Sequence, residues 1–441
     1  MRLEELKDKK VGFISLGCDK NRVDLEKMIF NVSNFGMKLV SNPKDANIII
    51  VNTCAFLESA RAEAIENILE MAEFKNSAEL EKLIVTGCLN ELNYPDLNES
   101  LPEVDRFVNI KDNDQIIEII AKLYEVDTTY NCVDDRILTT TSHYSFLKIS
   151  EGCNNFCTYC LIPYIRGRFK SEPIEKLVDE AKRLAKKGVK ELIIVAQDVT
   201  KYGIDLYGKK MLVPLLQELS KIEEIKWLRL LYCYPEEIDD ELINEVKTND
   251  KILKYLDIPL QHVSTKVLKA MNRRSDYNSI VKLFDKLYEE IPNIAIRTTF
   301  ILGFPGEDEE DVTLIEKFLL KYKLTNVGFF AYSREEGTKA YNLPNQIDES
   351  VKLDRVDRLA EVQYEVLQDN NDKYIDTETT VIVDTVENNY SVCRNYTQAP
   401  LIDANIYVNE ELQIGEFYKI KITNKSDYDF QGEKLWIYQI K

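Results

Sequence analysis

Six apolar runs separated by amphipathic stretches occupy residues 143–370 and restrict the fold of this part of the chain. Strand alternating with helix predicts a parallel sheet with right-handed crossovers. Eight such units would close a full barrel, so six predict an incomplete, TIM-like (β/α)6 barrel, which we place at residues 139–370. The runs are YSFLKIS, ELIIVAQ, WLRLLYC, YLDIPLQ, AIRTTFILG and VGFFAYS.

A polar or reactive residue follows each of these six runs. In barrels of this kind the carboxyl ends of the strands carry the chemistry, and packing alone does not explain such a pattern. The residues are Cys153, Gln197 with Asp198, Tyr234, Gln261 with His262, Gly303 and Ser333.

Three earlier apolar runs predict a separate N-terminal domain over residues 9–126. The runs VGFISLG, NIIIVNT and KLIVTG end directly in Cys18, Cys54 and Cys88, and helical patterns separate the later two. This arrangement predicts an open parallel α/β domain, in which ligands bind beyond the carboxyl ends of the strands. We therefore expect the three thiols to converge on one edge of the sheet.

The C-terminal segment, residues 372–441, has a third pattern. Its short β-rich runs are separated by Gly, Asn and Asp, which predicts a small antiparallel β-barrel of the oligonucleotide-binding type. The polar stretch 127–142 is the best candidate for a flexible junction between the first two domains. The β-rich runs are TTVIVDTV, NIYVN, FYKIKITN and KLWIYQI.

Composition excludes some classes of protein. The chain has 76 acidic and 57 basic residues, a formal charge of −19, which disfavours a phosphate backbone as partner. It has no apolar run of the roughly 18 residues that a membrane helix needs, and its first residues, MRLEELKDKK, do not form a secretory signal. We therefore expect a cytoplasmic protein, in which nine cysteines favour metal ligation or buried thiols over disulfides.

The stretch EGCNNFCTYC carries the strongest chemical signal. Cys153, Cys157 and Cys160 have the CxxxCxxC spacing, which can place three thiolates on three corners of a 4Fe-4S cluster and leave one iron open. A structural zinc site is the first alternative, but it prefers four ligands, often in two CxxC pairs. Plain buried cysteines are the second. The triplet after a barrel strand resembles the radical S-adenosylmethionine superfamily, which implies that the open iron binds S-adenosylmethionine and generates a 5′-deoxyadenosyl radical.

The earlier cysteines narrow this resemblance. Any one of Cys18, Cys54 and Cys88 could be a buried thiol, but three at the ends of sequential strands favour a second, auxiliary 4Fe-4S cluster. The whole chain resembles the methylthiotransferases, which join a cluster-bearing domain, a radical barrel and a C-terminal TRAM domain. It is most similar to the branch that modifies an aspartate of ribosomal protein S-twelve (the RimO type). The motifs are SLGCDKNRVDLE, VNTCAF, YLDIPLQH, IRTTFILGFPGE and YSREEGT.

Three departures from that branch leave the cysteines intact. Asp19 stands where proline is common, and LNELNYPDL after Cys88 lacks the usual Gln-Arg-Tyr, which puts any substrate contact there in doubt. The sequence IPYIRG after the triplet partly resembles the tRNA-modifying branch.

The resemblance implies the roles of particular residues. The six cysteines of the two sets ligate the clusters, and no catalytic residue is predicted beyond them. His262 needs no general-base role, because hydrogen-atom abstraction requires no base. The predicted contacts to S-adenosylmethionine, each of which also fits packing or a structural ion pair, are Tyr159, Glu191, Gln197, Gln261 and Arg297.

The implied reaction replaces a C–H bond at the aspartate β-carbon by C–S–CH3, using two molecules of S-adenosylmethionine. The expected partners are the small-subunit ribosomal protein or the assembled subunit, and a low-potential electron donor such as flavodoxin or ferredoxin. A tRNA adenosine methylthiotransferase (the MiaB type) is the alternative, and an RNA-binding or scaffold protein with structural clusters is a third. Residues 373–441 carry seven basic and eleven acidic residues, whereas RNA-binding barrels normally need a basic stripe, so tRNA is less favoured.

Overall fold

Three structural units follow one another along the chain in the computed structural model, which describes residues 2–92 and 97–435. They are an open parallel α/β sheet, a six-stranded open barrel and a small closed β-barrel. This architecture confirms the predicted fold class. No helix within the described residues is long and apolar enough to span a membrane.

The first unit is a five-stranded parallel sheet with helices on both faces. Nearly every residue of its middle strands is buried, and their apolar runs reflect the helices that cover both faces. Its strands are β1 (Lys10–Ser15), β2 (Lys38–Val40), β3 (Ile48–Thr53), β4 (Lys82–Gly87) and β5 (Arg106–Phe107), in the spatial order β2-β1-β3-β4-β5. Its helices are α1 (Leu3–Lys7), α2 (Asp19–Phe35), α3 (Glu58–Ala72), α4 (Phe74–Ser77), α5 (Cys88–Glu91), α6 (Leu97–Ser100) and α7 (Ile116–Leu123).

Alternate residues of β3 supply the two cores of this unit. Ile48 and Ile50 pack on the side of α2 and α7, whereas Ile49 and Val51 pack on the side of α3. The alternation follows from the two-residue period of a strand.

The second unit is the incomplete barrel. Its strands are β6 (Tyr144–Lys148), β7 (Ser150–Glu151), β8 (Lys170–Ser171), β9 (Glu191–Val195), β10 (Trp227–Leu230), β11 (Ile252–Asp257), β12 (Ala295–Leu302) and β13 (Asn326–Ala331). Six of these pair in parallel in the order β13-β12-β11-β10-β9-β6, while β7 and β8 form a short antiparallel ribbon. Its helices are α8 (Ile162–Ile165), α9 (Ile174–Lys186), α10 (Ile204–Tyr207), α11 (Leu212–Ser220), α12 (Asp240–Thr248), α13 (Thr265–Ala270), α14 (Tyr277–Glu290), α15 (Glu309–Tyr322) and α16 (Glu349–Asn371).

Local sequence explains where several of these helices begin and end. The Asp308 side chain caps α15 by accepting from the N–H groups of Glu310 and Asp311, and acidic residues in the first turn suit the helix dipole. In the N-terminal unit, α2 is capped at its C-terminus by Gly36. This residue has a φ of +107°, a conformation that glycine adopts without strain.

The third unit is a closed five-stranded barrel in the order β14-β15-β16-β18-β17. Its strands are β14 (Glu378–Glu387), β15 (Tyr390–Arg394), β16 (Ile406–Val408), β17 (Phe417–Ser426) and β18 (Asp429–Lys434). The predicted strand KLWIYQI lies mostly outside the described residues. The short, polar β15 is missing from the sequence prediction because it has no apolar run.

The C-terminal barrel packs against the amino ends of the open-barrel strands. Trp227 at the start of β10 meets Phe417 edge to face, with ring centroids 4.9 Å apart. Tyr144 and Ile193 share one apolar cluster with Ile382 of the C-terminal barrel. The opposite, carboxyl ends of the strands are therefore left to the N-terminal domain.

The stretch 127–142, predicted as a flexible junction, is irregular in structure but anchored. Arg136 is 1 % exposed and pairs with Glu26 of α2 at 3.2 Å and Glu180 of α9 at 3.0 Å. The backbone N–H of Thr139 donates to the same Glu26 at 2.8 Å. These contacts tie the first two units together.

Candidate active site between two sets of cysteines

The three N-terminal cysteines lie at one edge of the parallel sheet. Cys18 is the N-cap of α2, Cys54 follows β3, and α5 begins at Cys88 directly after β4. Strands β1, β3 and β4 are neighbours, so their carboxyl ends meet at this edge. The approach is close, because a Cβ added to Gly17 would lie 3.1 Å from the Cβ of Cys54.

Asn21 lies between two of these thiols. Its Oδ1 is 3.5 Å from the Sγ of Cys18 and 3.8 Å from the Sγ of Cys88. Its Nδ2 donates to the backbone carbonyl of Thr53 at 2.8 Å, which fixes the amide. Reasoning from the sequence missed Asn21, although it stands one helical turn after Cys18, a spacing that brings side chains onto one face.

The second set, Cys153, Cys157 and Cys160, lies on the loop between β7 and α8. The backbone N–H of Asn155 donates to the Sγ of Cys153, and that of Ile162 donates to the Sγ of Cys160, both at 3.4 Å. Hydrogen bonds to sulfur favour the charged thiolate. The loop therefore stabilises the thiolate, which is the form of cysteine that binds metal.

This loop is fixed tightly to the barrel. Gly152 has a φ of +73°, and a Cβ there would lie 2.3 Å from the carbonyl oxygen of Arg168, so only glycine fits. The backbone of Thr158 donates to Met271 at 3.0 Å and accepts from Ala340 at 2.8 Å. The three thiols are held in place before any cofactor binds.

Burial raises the pKa of thiols in both sets. It raises the pKa of Cys88 to about 11, opposed by Arg166 and reinforced by the nearby Cys18 and Cys54. It also raises the pKa of Cys153 to about 11. Because sulfurs within a set raise one another's pKa, they lie close enough to repel when charged. A metal that binds here must displace protons.

We expect cluster assembly on the metal-free protein to weaken as the pH falls from about 8 to about 6. Burial raises the pKa of Cys54, Cys88, Cys153 and Cys160, and each unit of pH makes the deprotonation of a thiol about 1.4 kcal/mol more costly. Iron and sulfide content after anaerobic reconstitution across this range measures the effect. The variant Cys132→Ser, which alters an exposed thiol outside both sets, should follow the same curve. A pH-independent iron content would contradict the expectation.

Cys thiolates are the usual ligands of an iron–sulfur cluster. Among the described residues, no three His, Cys, Asp or Glu side chains converge closely enough to hold one metal ion. A zinc ion needs each sulfur at about 2.3 Å. The irons of a 4Fe-4S cluster occupy separate corners and accept thiolates that stand apart.

Arg166 links the barrel to the N-terminal cysteines. Arg166 is the C-cap of α8, the short helix that follows the triplet, and is 8 % exposed. Its guanidinium donates to the Oδ1 of Asn21, to Asp24 at 2.8 Å and to Glu151 at 3.1 Å. Lys148 donates to the same two carboxylates. A barrel side chain thus reaches the amide that contacts the N-terminal thiols, and buried ion pairs lock the two domains together.

The segment after β10 contacts one cysteine of the triplet and two residues that follow Cys18. The hydroxyl of Tyr234 is 3.8 Å from the Sγ of Cys157. The ring centroid of Tyr232 lies 3.5 Å from the Nζ of Lys20, and its hydroxyl donates to Asp19 at 3.4 Å. This segment of the barrel therefore lies against the N-terminal domain beside Cys18.

Three of the predicted S-adenosylmethionine contacts lie at the carboxyl side of the barrel. Tyr159 stands within the triplet and packs beside Met271, and the nearby Cys157 adds to burial in raising its pKa. The Nε2 of Gln197 donates to Glu151 at 3.0 Å. Gln261 follows β11 with a φ of +68°.

Glu191 and Arg297 have other partners. Glu191 accepts from Arg229 at 2.7 Å and from Arg394 at 2.9 Å, and Arg297 pairs with Asp403 at 2.7 Å. Arg394 and Asp403 belong to the C-terminal barrel region. The two residues stand near the amino ends of β9 and β12, whereas the cysteines follow strand carboxyl ends. The structure therefore places this pair at the interface with the C-terminal barrel.

Comparison with known families covers all three units. Residues 10–109 match the uncharacterized protein family UPF0004, residues 147–319 the Radical SAM superfamily, and residues 375–435 the TRAM domain.

Full-length relatives decide the family. A protein named ribosomal protein uS12 methylthiotransferase RimO from Clostridium botulinum (strain Eklund 17B / Type B) is 47 % identical over 435 residues, covering 96 % of this chain and 97 % of the relative. One of the same name from Acetivibrio thermocellus is 46 % identical over 447 residues, covering 97 % and 98 %. The chain belongs to the RimO family. This membership confirms the resemblance predicted from the sequence.

Solved structures of more distant proteins are similar to this RimO family member in fold. The radical S-adenosylmethionine methyltransferase TsrM from Kitasatospora setae matches with a TM-score of 0.57 at 14 % identity, over 76 % of this chain and 77 % of TsrM. The cobalamin-dependent S-adenosylmethionine radical enzyme OxsB matches with a TM-score of 0.52 at 11 % identity, over 82 % and 58 %.

Proposed function

We propose that this chain methylthiolates the β-carbon of an aspartate in ribosomal protein uS12, with S-adenosylmethionine and two 4Fe-4S clusters as cofactors. The RimO relatives are named for methylthiotransfer to uS12. The observation that carries the proposal is that two separate sets of three cysteines lie in two domains, which Arg166 and Lys148 of the barrel join through Asp24 of the N-terminal domain. A single set serves radical chemistry in general, whereas a second set beside it can hold the sulfur to be transferred.

The geometry supports an assignment of particular residues to the cofactors. When bound, the clusters and S-adenosylmethionine supply the sulfur, the methyl group and a one-electron route to break an unactivated C–H bond. We assign Tyr159, Gln197 and Gln261 to S-adenosylmethionine, and no such contact to Glu191 and Arg297, whose charges are already paired. The proposed ligands are Cys153, Cys157 and Cys160 for the radical cluster and Cys18, Cys54 and Cys88 for the auxiliary cluster.

The protein's own contribution is to fix the distance between the two centres. Arg166 and Lys148 of the barrel share Asp24 of the N-terminal domain, in contacts that bring these charges out of water. Rigid positioning of two reacting groups supplies much of the rate in such reactions. The half-buried rings of Tyr232 and Tyr234 lie beside Lys20 and Cys157 and shield them in part from water.

The proposed partners are uS12, free or within the assembled small subunit, and a low-potential electron donor. A flavodoxin or ferredoxin suits a 4Fe-4S cluster, because such clusters accept electrons at low potential. Transfer to tRNA is the second candidate, since small barrels of the oligonucleotide-binding type do bind nucleic acids. The acidic balance of residues 373–441 disfavours it.

A direct assay separates the two substrates. Reconstituted enzyme with a reductant, S-adenosylmethionine and sulfide is incubated with uS12 or with unmodified tRNA, and the products are analysed by mass spectrometry. We expect one methylthio group on one aspartate of uS12 and none on tRNA. A uS12 variant with alanine at the modified position is the control and should stay unmodified. Modification of tRNA alone would overturn the assignment.

A further inference from the structure

Lys20 is a buried cation close to Cys18, where the N-terminal domain meets the barrel. It is the second residue of α2, two positions after Cys18, and is 7 % exposed. Its Nζ lies 3.5 Å from the ring centroid of Tyr232 in the barrel. Among the residues that the structure describes, no carboxylate forms an ion pair with it.

This placement is unusual for a lysine. The first turn of a helix disfavours positive charge, because the helix dipole is positive there. Burial removes hydration from the ammonium, although Tyr232, Cys18 and Asp19 favour its charged form and raise the pKa of Lys20 above its usual range. The side chain is thus a buried charged group without a close ion-pair partner in the described part of the chain, and such departures from local rules typically mark functional positions. An arriving anion would supply that partner.

The neighbouring cations already have partners. Arg166 and Lys148 share the carboxylates of Asp24 and Glu151. Arg273 stacks over the ring of Tyr234 at 4.1 Å and approaches Glu236 at 3.9 Å. Among these described cations of the site, Lys20 is the one that has no carboxylate partner.

We propose that Lys20 binds the side-chain carboxylate of the aspartate that receives the methylthio group. The inference rests on the proposed function and adds the residue that selects the substrate. The carboxylate is attached to the β-carbon, so holding it at Lys20 places that carbon between the cysteine sets, where positioning matters most. S-adenosylmethionine also carries a carboxylate, and the two sources are distinguished below.

A binding experiment tests the charge pair directly. The reconstituted enzyme, without S-adenosylmethionine so that nothing turns over, is titrated with fluorescent uS12 peptides bearing aspartate or asparagine at the modified position. The parent enzyme is expected to bind the aspartate peptide about 10- to 100-fold more tightly. Lys20→Met is expected to bind both peptides equally, near the level of the asparagine peptide.

Two further variants are measured, one as a control and one as a second test. Lys44→Met removes an exposed lysine of the same domain and should keep the full preference for aspartate. Lys20→Gln keeps a polar side chain and provides a second test if Lys20→Met is poorly folded. Iron content and the affinity for S-adenosylmethionine are measured for every variant.

Three outcomes would overturn the inference while leaving the proposed function intact. The first is a parent enzyme that modifies uS12, with both Lys20 variants still preferring the aspartate peptide. The second is a loss of affinity for S-adenosylmethionine with peptide preference unchanged, which would assign Lys20 to the methionyl carboxylate. The third is loss of about half the iron with preference unchanged, which would make Lys20 a charge partner of the auxiliary cluster. A parent enzyme that fails to modify uS12 at all contradicts the proposed function instead.

Discussion

Replacing one cysteine of each set is expected to separate two activities that the intact enzyme couples. Cys157→Ala should lower both the reductive cleavage of S-adenosylmethionine and methylthiolation by more than about 100-fold, because the cluster with the open iron loses one of its three protein ligands. Cys54→Ala should lower methylthiolation by the same factor but leave the rate of reductive cleavage of S-adenosylmethionine unchanged. The physical reason is that the two sets are held by different domains.

Three measurements check this separation. Iron content should fall from about eight to about four per chain in either variant. Chromatography of 5′-deoxyadenosine follows the cleavage, and mass spectrometry of uS12 follows the transfer. Cys132→Ala, an exposed thiol outside both sets, should behave as the parent. Full iron content in Cys54→Ala would remove the auxiliary cluster from the proposal.

Glu191→Gln is expected to destabilise the contact between the barrel and the C-terminal barrel by about 3 to 5 kcal/mol. Glu191 is fully buried between Arg229 and Arg394, which are at most 1 % exposed. Removing the carboxylate leaves two buried guanidinium groups with one partner fewer. Burial alone would raise the pKa of Glu191, but Arg394 and Arg229 lower it overall. The stabilisation is therefore present at neutral pH and is lost as acid protonates the carboxylate.

Denaturation midpoints and limited proteolysis after residue 371 measure this effect. The control is Glu416→Gln, at the same interface, where a half-exposed carboxylate pairs with Lys190 at 2.7 Å. A surface pair of this kind contributes about 0 to 1 kcal/mol, so the control should match the parent. Equal midpoints for the two variants would contradict the reading of Glu191 as a structural residue.

The strand pattern predicted most of the fold, because a buried parallel strand needs a continuous apolar run. All nine runs of the first two units coincide with strands within a few residues. The β15 strand was missed because it is short and mixes polar with apolar residues, so only its pairing in the closed barrel reveals it. The junction at 127–142 looked flexible, since a polar sequence does not reveal that Arg136 finds two buried carboxylates.

Individual side chains were harder to predict than strands. Glu191 and Arg297 were predicted near the cofactor because they stand in barrel strands, yet their position near the amino ends turns them toward the C-terminal barrel. Asn21 and Lys20 were not singled out, although both follow Cys18 directly along α2. Their importance depends on contacts with Thr53 and Tyr232, which are distant in sequence.

The sequence by itself determined the three units and predicts the two ligand sets, because these depend on local spacing and apolar periodicity. Only the tertiary structure decided how the domains that carry the two sets pack together. Arg166 of the barrel reaches Asn21 beside the N-terminal thiols, and Tyr232 of the barrel covers Lys20. Such contacts depend on how the two domains pack, and the spacing of residues along the chain does not reveal this packing.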